Sequence, residues 1–195
     1  MSGPLRKLPP LLLACAALVV LGGCGDSHKK TSTGTYAGES GANAPYLDVG
    51  PLKYEIQQSR ELNPTNSEDS KYLAGLTAAQ AKLEPGQEWF GVFVQVYNTG
   101  SDAAPAAGTM TISDTQGNVY QPLKPTAGNA YAYQGGVVQG KGQIPEPDTP
   151  AYFGPTQGAL LLYKISTESL SNRPLEVKIA DPVDGSQTAT AELDV

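Results

Sequence analysis

Cysteine is scarce in this chain, which has two cysteines among 195 residues. Cys15 lies in an apolar stretch near the N-terminus, and Cys24 follows that stretch. If the stretch is removed on export, Cys24 is the only thiol left and no intramolecular disulfide can form. Stability must then come from packing, and a domain of about 150 residues is long enough to bury a hydrophobic core.

Histidine is scarcer still, because His28 is the only one. It lies in a polar segment ahead of the domain, where we expect it to be solvated. Ser-His-Asp and Cys-His catalysis both need a histidine beside the nucleophile, so the domain lacks that chemistry. A Ser-Lys pair would need a buried lysine, whereas Lys164 and Lys178 occupy strand positions that we expect to face solvent.

Phosphate-binding and dinucleotide-binding fingerprints are also missing. Gly135-Gly136 and Gly140-Lys141-Gly142 do not stand between a predicted strand and a predicted helix, which such motifs require. We therefore expect no catalytic residue, no cofactor and no enzymatic activity.

Positive charge is in short supply, with 13 Lys and Arg against 19 Asp and Glu and a formal net charge of −6. Loss of residues 1–23 would remove two cations, Arg6 and Lys7, and no anion, which would bring the charge to −8. An acidic surface without a basic stripe argues against nucleic acid as a partner and against electrostatic docking on anionic lipid.

The apolar run from Leu11 to Leu21 is too short to span a bilayer, which takes about 20 residues. Arg6 and Lys7 precede it, and no stop-transfer flank follows. A positive start, an apolar run of this length and small residues after it are typical of a secretory signal.

The run closes with Leu21-Gly22-Gly23-Cys24, which resembles the lipobox of bacterial lipoproteins. In that family the cysteine sulfur receives a diacylglyceryl group and the preceding peptide is cut away. The resemblance implies a signal peptide over residues 1–23, lipidation at Cys24, and a membrane partner on the extracytoplasmic face. The alternative is an ordinary secretory leader that leaves Cys24 as a free thiol.

Residues 24–44 contain the lipidated cysteine and then Ser, Thr, Gly and Lys with little apolar content. This composition is typical of a flexible linker. The remainder, residues 45–195, is most simply one domain.

Hydrophobic residues in this domain alternate with polar ones at a period of two, which is typical of strands. The candidate strands are centred on Leu52–Ile56, Phe90–Tyr97, Met110–Ile112, Ala159–Ile165, Leu175–Ile179 and Ala191–Val195. Short strands separated by Gly- and Pro-rich turns indicate an all-β, antiparallel β-sandwich.

Three further predictions concern single segments of this sandwich, and two of them leave alternatives open. Ala159–Ile165 is apolar on both faces and predicts a central strand. Ser67–Leu83 is a helix or an ordered loop, and Thr167–Leu170 is a single helical turn. Trp89 either faces outward or packs under the Ser67–Leu83 segment.

The strand beginning at Glu88-Trp89-Phe90 and ending at Asn98, followed by the hairpin Asp114 to Pro122, resembles the immunoglobulin-like domains of bacterial lipoproteins. These domains are described as telokin-like or as related to a secreted mycobacterial immunoprotective antigen. Gln157–Lys164 and Asn172–Glu176 resemble their closing strands. The resemblance covers about residues 45–182 and implies an immunoglobulin-like fold, with no catalytic residues to carry over.

Two acidic patterns have competing interpretations. Paired carboxylates hydrolyse glycosides, but the acidic residues here are scattered over turns. Asp181 through Ser186 offers oxygens of the kind that Ca²⁺ favours, without the spacing of a dedicated calcium loop. We interpret that segment as a turn and predict no metal site.

The segment from Pro122 to Pro155 carries four aromatic residues among Gly and Pro: Tyr131, Tyr133, Tyr152 and Phe153. Long loops are usually functional, and aromatic side chains are enriched at interfaces. These rings form either a recognition surface or a lid that buries itself over the sandwich.

Together these patterns predict a non-enzymatic binding or scaffolding module at the cell envelope, with an envelope protein as its partner. Two alternatives remain. One is an accessory subunit that captures a solute for a membrane system, with an unknown small-molecule ligand. The other is a hydrolase with two carboxylates in a cleft.

Overall fold

The computed structural model of the chain describes residues 29–31, 46–126 and 128–193. Within them strands dominate. The strands are β1 (Lys29–Thr31), β2 (Leu47–Val49), β3 (Leu52–Leu62), β4 (Gln87–Tyr97), β5 (Ala104–Ala106), β6 (Met110–Ser113), β7 (Val119–Tyr120), β8 (Gly136–Val138), β9 (Gln143–Ile144), β10 (Ala159–Ser166), β11 (Leu175–Ala180) and β12 (Thr188–Leu193). The helices are α1 (Asp69–Tyr72), α2 (Ala78–Ala81) and α3 (Pro150–Phe153).

Two large sheets are formed from these strands. Sheet A has the order β1-β12-β11-β6-β7, and sheet B has the order β10-β4-β3-β2, with β9 also pairing with β4. β5 and β8 form a small separate sheet. The described strand pairs are antiparallel except for β1 with β12. The antiparallel β-sandwich predicted from the period-two pattern is confirmed.

The main core lies between the facing sides of sheets A and B. From β4 it takes the predicted alternate residues, Phe90, Val92, Val94 and Val96, all fully buried. From sheet A it takes Met110, Ile112, Leu175, Val177, Ile179, Ala189, Ala191 and Leu193. Burial of these apolar side chains from two facing sheets is the main source of stability in a domain without disulfides.

A second hydrophobic cluster covers part of the other side of sheet B. Its strand residues are Leu62, Trp89, Phe93, Leu160 and Leu162. Tyr72 of α1 packs on them, with the partly buried Leu73, Leu76, Leu83, Leu123 and Tyr131 around it. Where this cluster lies, sheet B is therefore covered on both sides, and Trp89 packs under the Ser67–Leu83 segment rather than facing outward.

The prediction that Ala159–Ile165 is a central strand is wrong. This strand, β10, lies at one end of the strand order of sheet B. It is apolar on both faces because one face meets sheet A and the other meets the second cluster. Single bridges from Leu123 and Ala132 occupy its outer edge. An apolar pattern on both faces of a strand thus shows that both faces are covered. It does not show whether the strand is central or at the edge of its sheet.

Ser67–Leu83 combines the two predicted alternatives, since α1 and α2 are single helical turns joined by loop. A capping box begins α2: the Gln80 N–H donates to Thr77 Oγ1 at 3.3 Å, and the Thr77 N–H donates to Gln80 Oε1 at 3.0 Å. The segment predicted as a helical turn at Thr167–Leu170 instead forms consecutive turns, with N–H groups of residues 169, 171 and 172 bonded three residues back.

The polar residues of the family-like motif have structural partners. The Asn98 side-chain amide donates to the carbonyls of Asp102 at 2.7 Å and Val138 at 3.0 Å, which ties the end of β4 to β8. Asp114 accepts the N–H groups of Gln116 and Asn118, both at 2.9 Å, and so closes the β6–β7 hairpin.

Residues 29–31 lie within the predicted linker but form β1, which pairs parallel with β12 at the edge of sheet A. The predicted signal peptide, Cys24, His28 and the rest of the linker lie outside the described residues. In the part of the chain that the structure describes, no helix is long and apolar enough to cross a membrane.

Candidate functional site: an aromatic surface on sheet B

Tyr131 and Tyr133, two of the four aromatic residues singled out in the long loop, fold back onto the sandwich. The Tyr131 ring lies 5.0 Å from the Tyr72 ring in an edge-to-face contact within the second cluster. The Tyr133 hydroxyl donates to the Ala107 carbonyl at 2.7 Å, and burial raises the pKa of that phenol. These two tyrosines have the geometry of the lid alternative.

Tyr152 and Phe153 behave differently, because they end the short helix α3 at the surface. Thr149 precedes this helix and Pro150 begins it, a position that proline favours because its missing N–H would be unbonded there. The two rings contact each other edge to face at 4.8 Å, and Phe153 is 67% exposed. Ala151 is buried beneath them and accepts the Gly158 N–H at 2.9 Å, which fixes α3 to the start of β10.

A second pair of aromatic residues lies at the end of β4. Tyr46, directly before β2, contacts Tyr97 edge to face at 5.6 Å. The Tyr97 hydroxyl lies 3.3 Å from Glu55 Oε2 and also donates to Gln95 Oε1. Glu55 and Gln95 are opposite each other in the β3–β4 register, so the three polar groups share the outer side of sheet B.

We call Tyr46, Tyr97, Tyr152 and Phe153, with Glu55 and Gln95 beside Tyr97, the aromatic site. Tyr152 and Phe153 are included because α3 connects β9, which pairs with Val96 and Tyr97, to β10, which begins opposite Val94, so α3 lies at the same end of β4. Glu55 and Gln95 are only 6% and 7% exposed. The site therefore presents ring surfaces to solvent and keeps a carboxylate behind them.

Burial sets the electrostatics of this site. It raises the pKa of Glu55, against the lowering effect of hydrogen bonds from Gln57 and Tyr97. Burial also raises the pKa of Tyr97, with the Glu55 carboxylate as the next largest cause. In the contact between the two, the Tyr97 phenol is the hydrogen-bond donor and Glu55 the acceptor.

A clamp joins β3 to α1 and to the loop before β10, beside the second cluster. Arg60 Nη2 lies 2.6 Å from Asp69 Oδ1 and 3.7 Å from Glu68 Oε1. The Arg60 guanidinium also lies over the rings of Tyr72 and Phe93, at 5.9 and 5.8 Å. Thr156 Oγ1 reaches Gln58 Oε1 at 3.3 Å from the other side.

In the acidic turn at Asp181–Ser186, the carboxylates accept hydrogen bonds from N–H groups of the turn itself. Asp181 Oδ1 accepts the N–H groups of Val183 at 2.7 Å and Asp184 at 3.2 Å, and Asp184 Oδ1 accepts the Ser186 N–H at 3.0 Å. Gly50, at φ +56°, packs so tightly against the Asp181 carboxylate that a Cβ would clash. Among the described residues no group of three or more His, Cys, Asp or Glu side chains is placed to hold a metal ion.

Two carboxylates do meet at the rim of the sandwich. The pKa of Glu88 is raised by burial and by its hydrogen-bonded neighbour Glu61.

Lys164 also departs from the solvated position expected for it. Its Nζ donates to the Lys82 carbonyl at 2.5 Å and lies 5.5 Å from the centre of the Trp89 ring, so it fastens the end of α2 to sheet B.

Tyr152 and Phe153 were predicted from the sequence as candidate recognition residues. The other members of the aromatic site were not predicted: Tyr46, Tyr97, Glu55 and Gln95. One signal was present: Gln95 and Tyr97 are polar or amphipathic on the outward side of the most apolar strand. That alternation implies that one end of the outer side of sheet B is left partly open. That Glu55 lies opposite Gln95 could not be predicted, because this requires the register between β3 and β4.

No protein-family model matches the chain. No curated protein matches it. Among solved structures, the yjhA protein from Bacillus subtilis is similar over 83% of this chain and 99% of its own, with a TM-score of 0.52 and 11% identity. At that identity the likeness supports the fold alone.

Two further solved structures are similar at lower scores. The ycdA protein of Bacillus subtilis, described as a candidate lipoprotein, matches 76% of this chain and 38% of its own, with a TM-score of 0.47 and 11% identity. A β-sandwich protein from Clostridium difficile 630 matches 85% of this chain and 96% of its own, with a TM-score of 0.42 and 12% identity.

Proposed function

We propose that this chain is an extracytoplasmic lipoprotein whose immunoglobulin-like β-sandwich is a non-enzymatic binding module at the cell envelope. The observation that carries the binding role is the aromatic site. Tyr131 and Tyr133 are packed into the fold, whereas Tyr152 and Phe153 stand at the surface, at the same end of β4 as the Tyr46–Tyr97 pair. Exposed aromatic side chains gathered in one place supply most of the energy of recognition sites.

The location rests on the sequence Leu21-Gly22-Gly23-Cys24. A diacylglyceryl group carries two acyl chains, and two chains anchor a protein stably where one does not. The motif residues also support kinship with the immunoglobulin-like domains of bacterial lipoproteins, including those related to the mycobacterial antigen. In this chain Asn98 and Asp114 hold turns, which fits a family whose shared residues are structural.

Replacement of Cys24 tests the anchor. We expect Cys24→Ala to move the protein from the detergent phase to the aqueous phase in a phase-partition assay, because the acyl chains are lost. Cys15→Ala is the matched control and should partition as the wild type does. Detergent partition of Cys24→Ala equal to wild type would contradict the anchor.

Site-specific crosslinking tests the binding role. A photoreactive amino acid at position 153 should capture a discrete envelope component in intact cells, identified by mass spectrometry. The control is the same group at position 119, because Val119 is 58% exposed on β7 of the opposite sheet. Identical adducts from the two positions, or none from position 153, would contradict a binding role for the aromatic site.

A further inference from the structure

An exposed apolar turn lies at the end of the sandwich where the chain enters sheet A. We infer that this turn, from Asp181 to Gln187 and including the exposed Val183, docks on the bilayer that holds the lipid anchor. The docking depends on the anchor at Cys24 in the proposed function. The partner of this surface is the lipid itself, and no second protein is needed to cover it.

The register of β1 shows which end of the sandwich lies nearest the anchor. β1 pairs parallel with β12, so its first residue, Lys29, lies opposite Thr190 near the start of β12. β12 begins directly after the turn, at Thr188, which pairs with Ala180. Only four residues lie between Cys24 and Lys29. A lipid group on Cys24 would therefore hold this end toward the bilayer and the far end away from it.

This anchored end exposes apolar side chains from two adjacent turns. Pro182 and Val183 are exposed, and Val183, at 79%, is the most exposed large apolar side chain in the described part of the chain. Pro51 of the β2–β3 turn is exposed as well, and Gly50 before it packs against the Asp181 carboxylate. A single exposed valine is ordinary on a protein surface. The position of Val183 at the anchored end is what gives it a partner.

Hydrogen bonds hold the turn in one conformation. Its base closes between the Asp181 N–H and the Gln187 carbonyl at 2.9 Å. Within it the Gln187 N–H donates to the Asp184 carbonyl at 2.9 Å, and the Val183 N–H donates to Asp181 Oδ1 at 2.7 Å. A surface that is ordered before it binds loses little conformational entropy on binding. Docking of Val183 therefore needs little further ordering of the chain.

The anchor makes a weak contact sufficient. Binding to a bilayer surface scales with the apolar area that is buried, and one valine with neighbouring prolines is too small to bring a free protein to a membrane. With Cys24 in the bilayer, contact by the turn becomes an intramolecular event at high effective concentration, because the connection is short. The turn then selects one orientation of the sandwich and adds little to its attachment.

Charges of both signs lie near the turn, so apolar surface governs the contact. The acidic residues of the turn are Asp181 and Asp184. Basic residues occupy nearby register positions: Lys178 on β11, and Lys29 and Lys30 on β1. Neither sign dominates this end, so no strong field draws it to anionic lipid or repels it from such lipid.

The experiment measures how near the turn lies to lipid in the anchored protein. The lipid-modified protein is placed in phosphatidylcholine vesicles that carry a nitroxide on a fraction of their headgroups. A fluorophore on Gly185→Cys reports the turn, because a Cβ at Gly185 meets no neighbouring atom within 4 Å. The control fluorophore is on Val119→Cys at the far end of sheet A, where Val119 pairs with Ser113 and Ser113 with Glu176.

The two labels should differ because the sheet separates them. From Glu176 to Asp181 the chain rises by five residues, or about 17 Å along the strand. We expect nitroxide quenching at position 185 to exceed quenching at position 119 severalfold. Equal quenching at the two positions, or stronger quenching at position 119, would overturn the docking.

Val183→Ser in the protein labelled at position 185 tests the apolar contact. It should lower the ratio of docked to undocked molecules, read from the quenching, by up to about tenfold, because the valine supplies most of the apolar gain. Val119→Ser is the matched control and should leave quenching at position 185 unchanged. Exchange of phosphatidylcholine for phosphatidylglycerol should have a smaller effect than Val183→Ser. A larger effect would assign the contact to the lysines and overturn the apolar docking.

Flotation of the vesicles tests the anchor separately. Protein that floats with the vesicles and is quenched equally at both positions retains the anchor and excludes the docked turn. Protein that does not float excludes both. Crosslinking from position 153 continues to judge the binding role of the aromatic site, whichever result is obtained for the turn.

Discussion

The two ends of the outer side of sheet B differ in what covers them. Around Trp89, Phe93, Leu160 and Leu162 the side is closed by α1, α2 and the long loop. Around Gln95 and Tyr97 the same side ends in half-exposed rings over a buried carboxylate. One strand, β4, runs through both environments, so the difference arises from the covering segments and not from the sheet. A single sheet thus supplies a closed layer of core and an open site.

The largest expected effect comes from the closed end. Phe93→Ala should destabilise the domain by about 3–5 kcal/mol, because it leaves a cavity between sheet B and Tyr72. Phe153→Ala, at the open end, should change the free energy of unfolding by less than about 0.5 kcal/mol. Urea denaturation measures both, and equal losses would break the distinction between the two ends.

The Arg60 clamp, which lies within the closed end, should have an intermediate effect. Arg60→Ala removes the partner of Asp69, whose side chain is 6% exposed, and is expected to cost about 2–4 kcal/mol. Lys53→Ala breaks the exposed pair with Asp48 and should cost at most about 1 kcal/mol. Urea denaturation of the two variants would contradict the role of the clamp if Arg60→Ala proved as mild as Lys53→Ala.

A small gain in stability is expected at the open end. The pKa of Glu55 is raised in the folded state by burial, so folding favours its protonated form. Its contribution to stability is then fully present below the unfolded pKa and is lost as pH rises through the folded pKa. At pH 7 we expect Glu55→Gln to stabilise the domain by up to about 1 kcal/mol, with the gain shrinking toward acidic pH.

Asp114 is expected to show the opposite pH dependence of stability to Glu55. Its carboxylate accepts hydrogen bonds from Ser169 at 2.6 Å and from Asn118, which lower its pKa to about 2. Its contribution is present above the ordinary pKa of 3.8 and is lost as pH falls through about 2. Asp114→Asn should therefore destabilise at pH 7, and denaturation curves in which both variants shift in the same direction at pH 7 would contradict the electrostatic account.

The fold was largely predictable because its signals are local. Alternation in β4 identified which residues face sheet A, and Asp114 and Gly117 marked a hairpin whose closing contacts lie within five residues. The edge position of β10 was not predictable, since coverage of its two faces by sheet A and by the second cluster produces the same apolar pattern as a central strand has.

The aromatic site was predictable only in part, for the same reason. Tyr152 and Phe153 stood out by composition, but Tyr131 and Tyr133 looked equivalent to them. What separates the two sets is contact with Tyr72 and Ala107, which are 59 and 26 positions away in the sequence. Glu55 and Tyr97 meet only through the β3–β4 register, which a bulge between Ile56 and Gln58 shifts.

The pairing of β1 with β12 has a mechanical consequence for a lipid-anchored chain. If Cys24 is anchored in the bilayer surface as proposed, only four residues lie between it and Lys29, which sheet A already holds, so the path is five residue steps long. A chain of that length spans at most about 18 Å. The sandwich would then lie close above the lipid headgroups, so any partner that it binds must itself lie at the membrane surface.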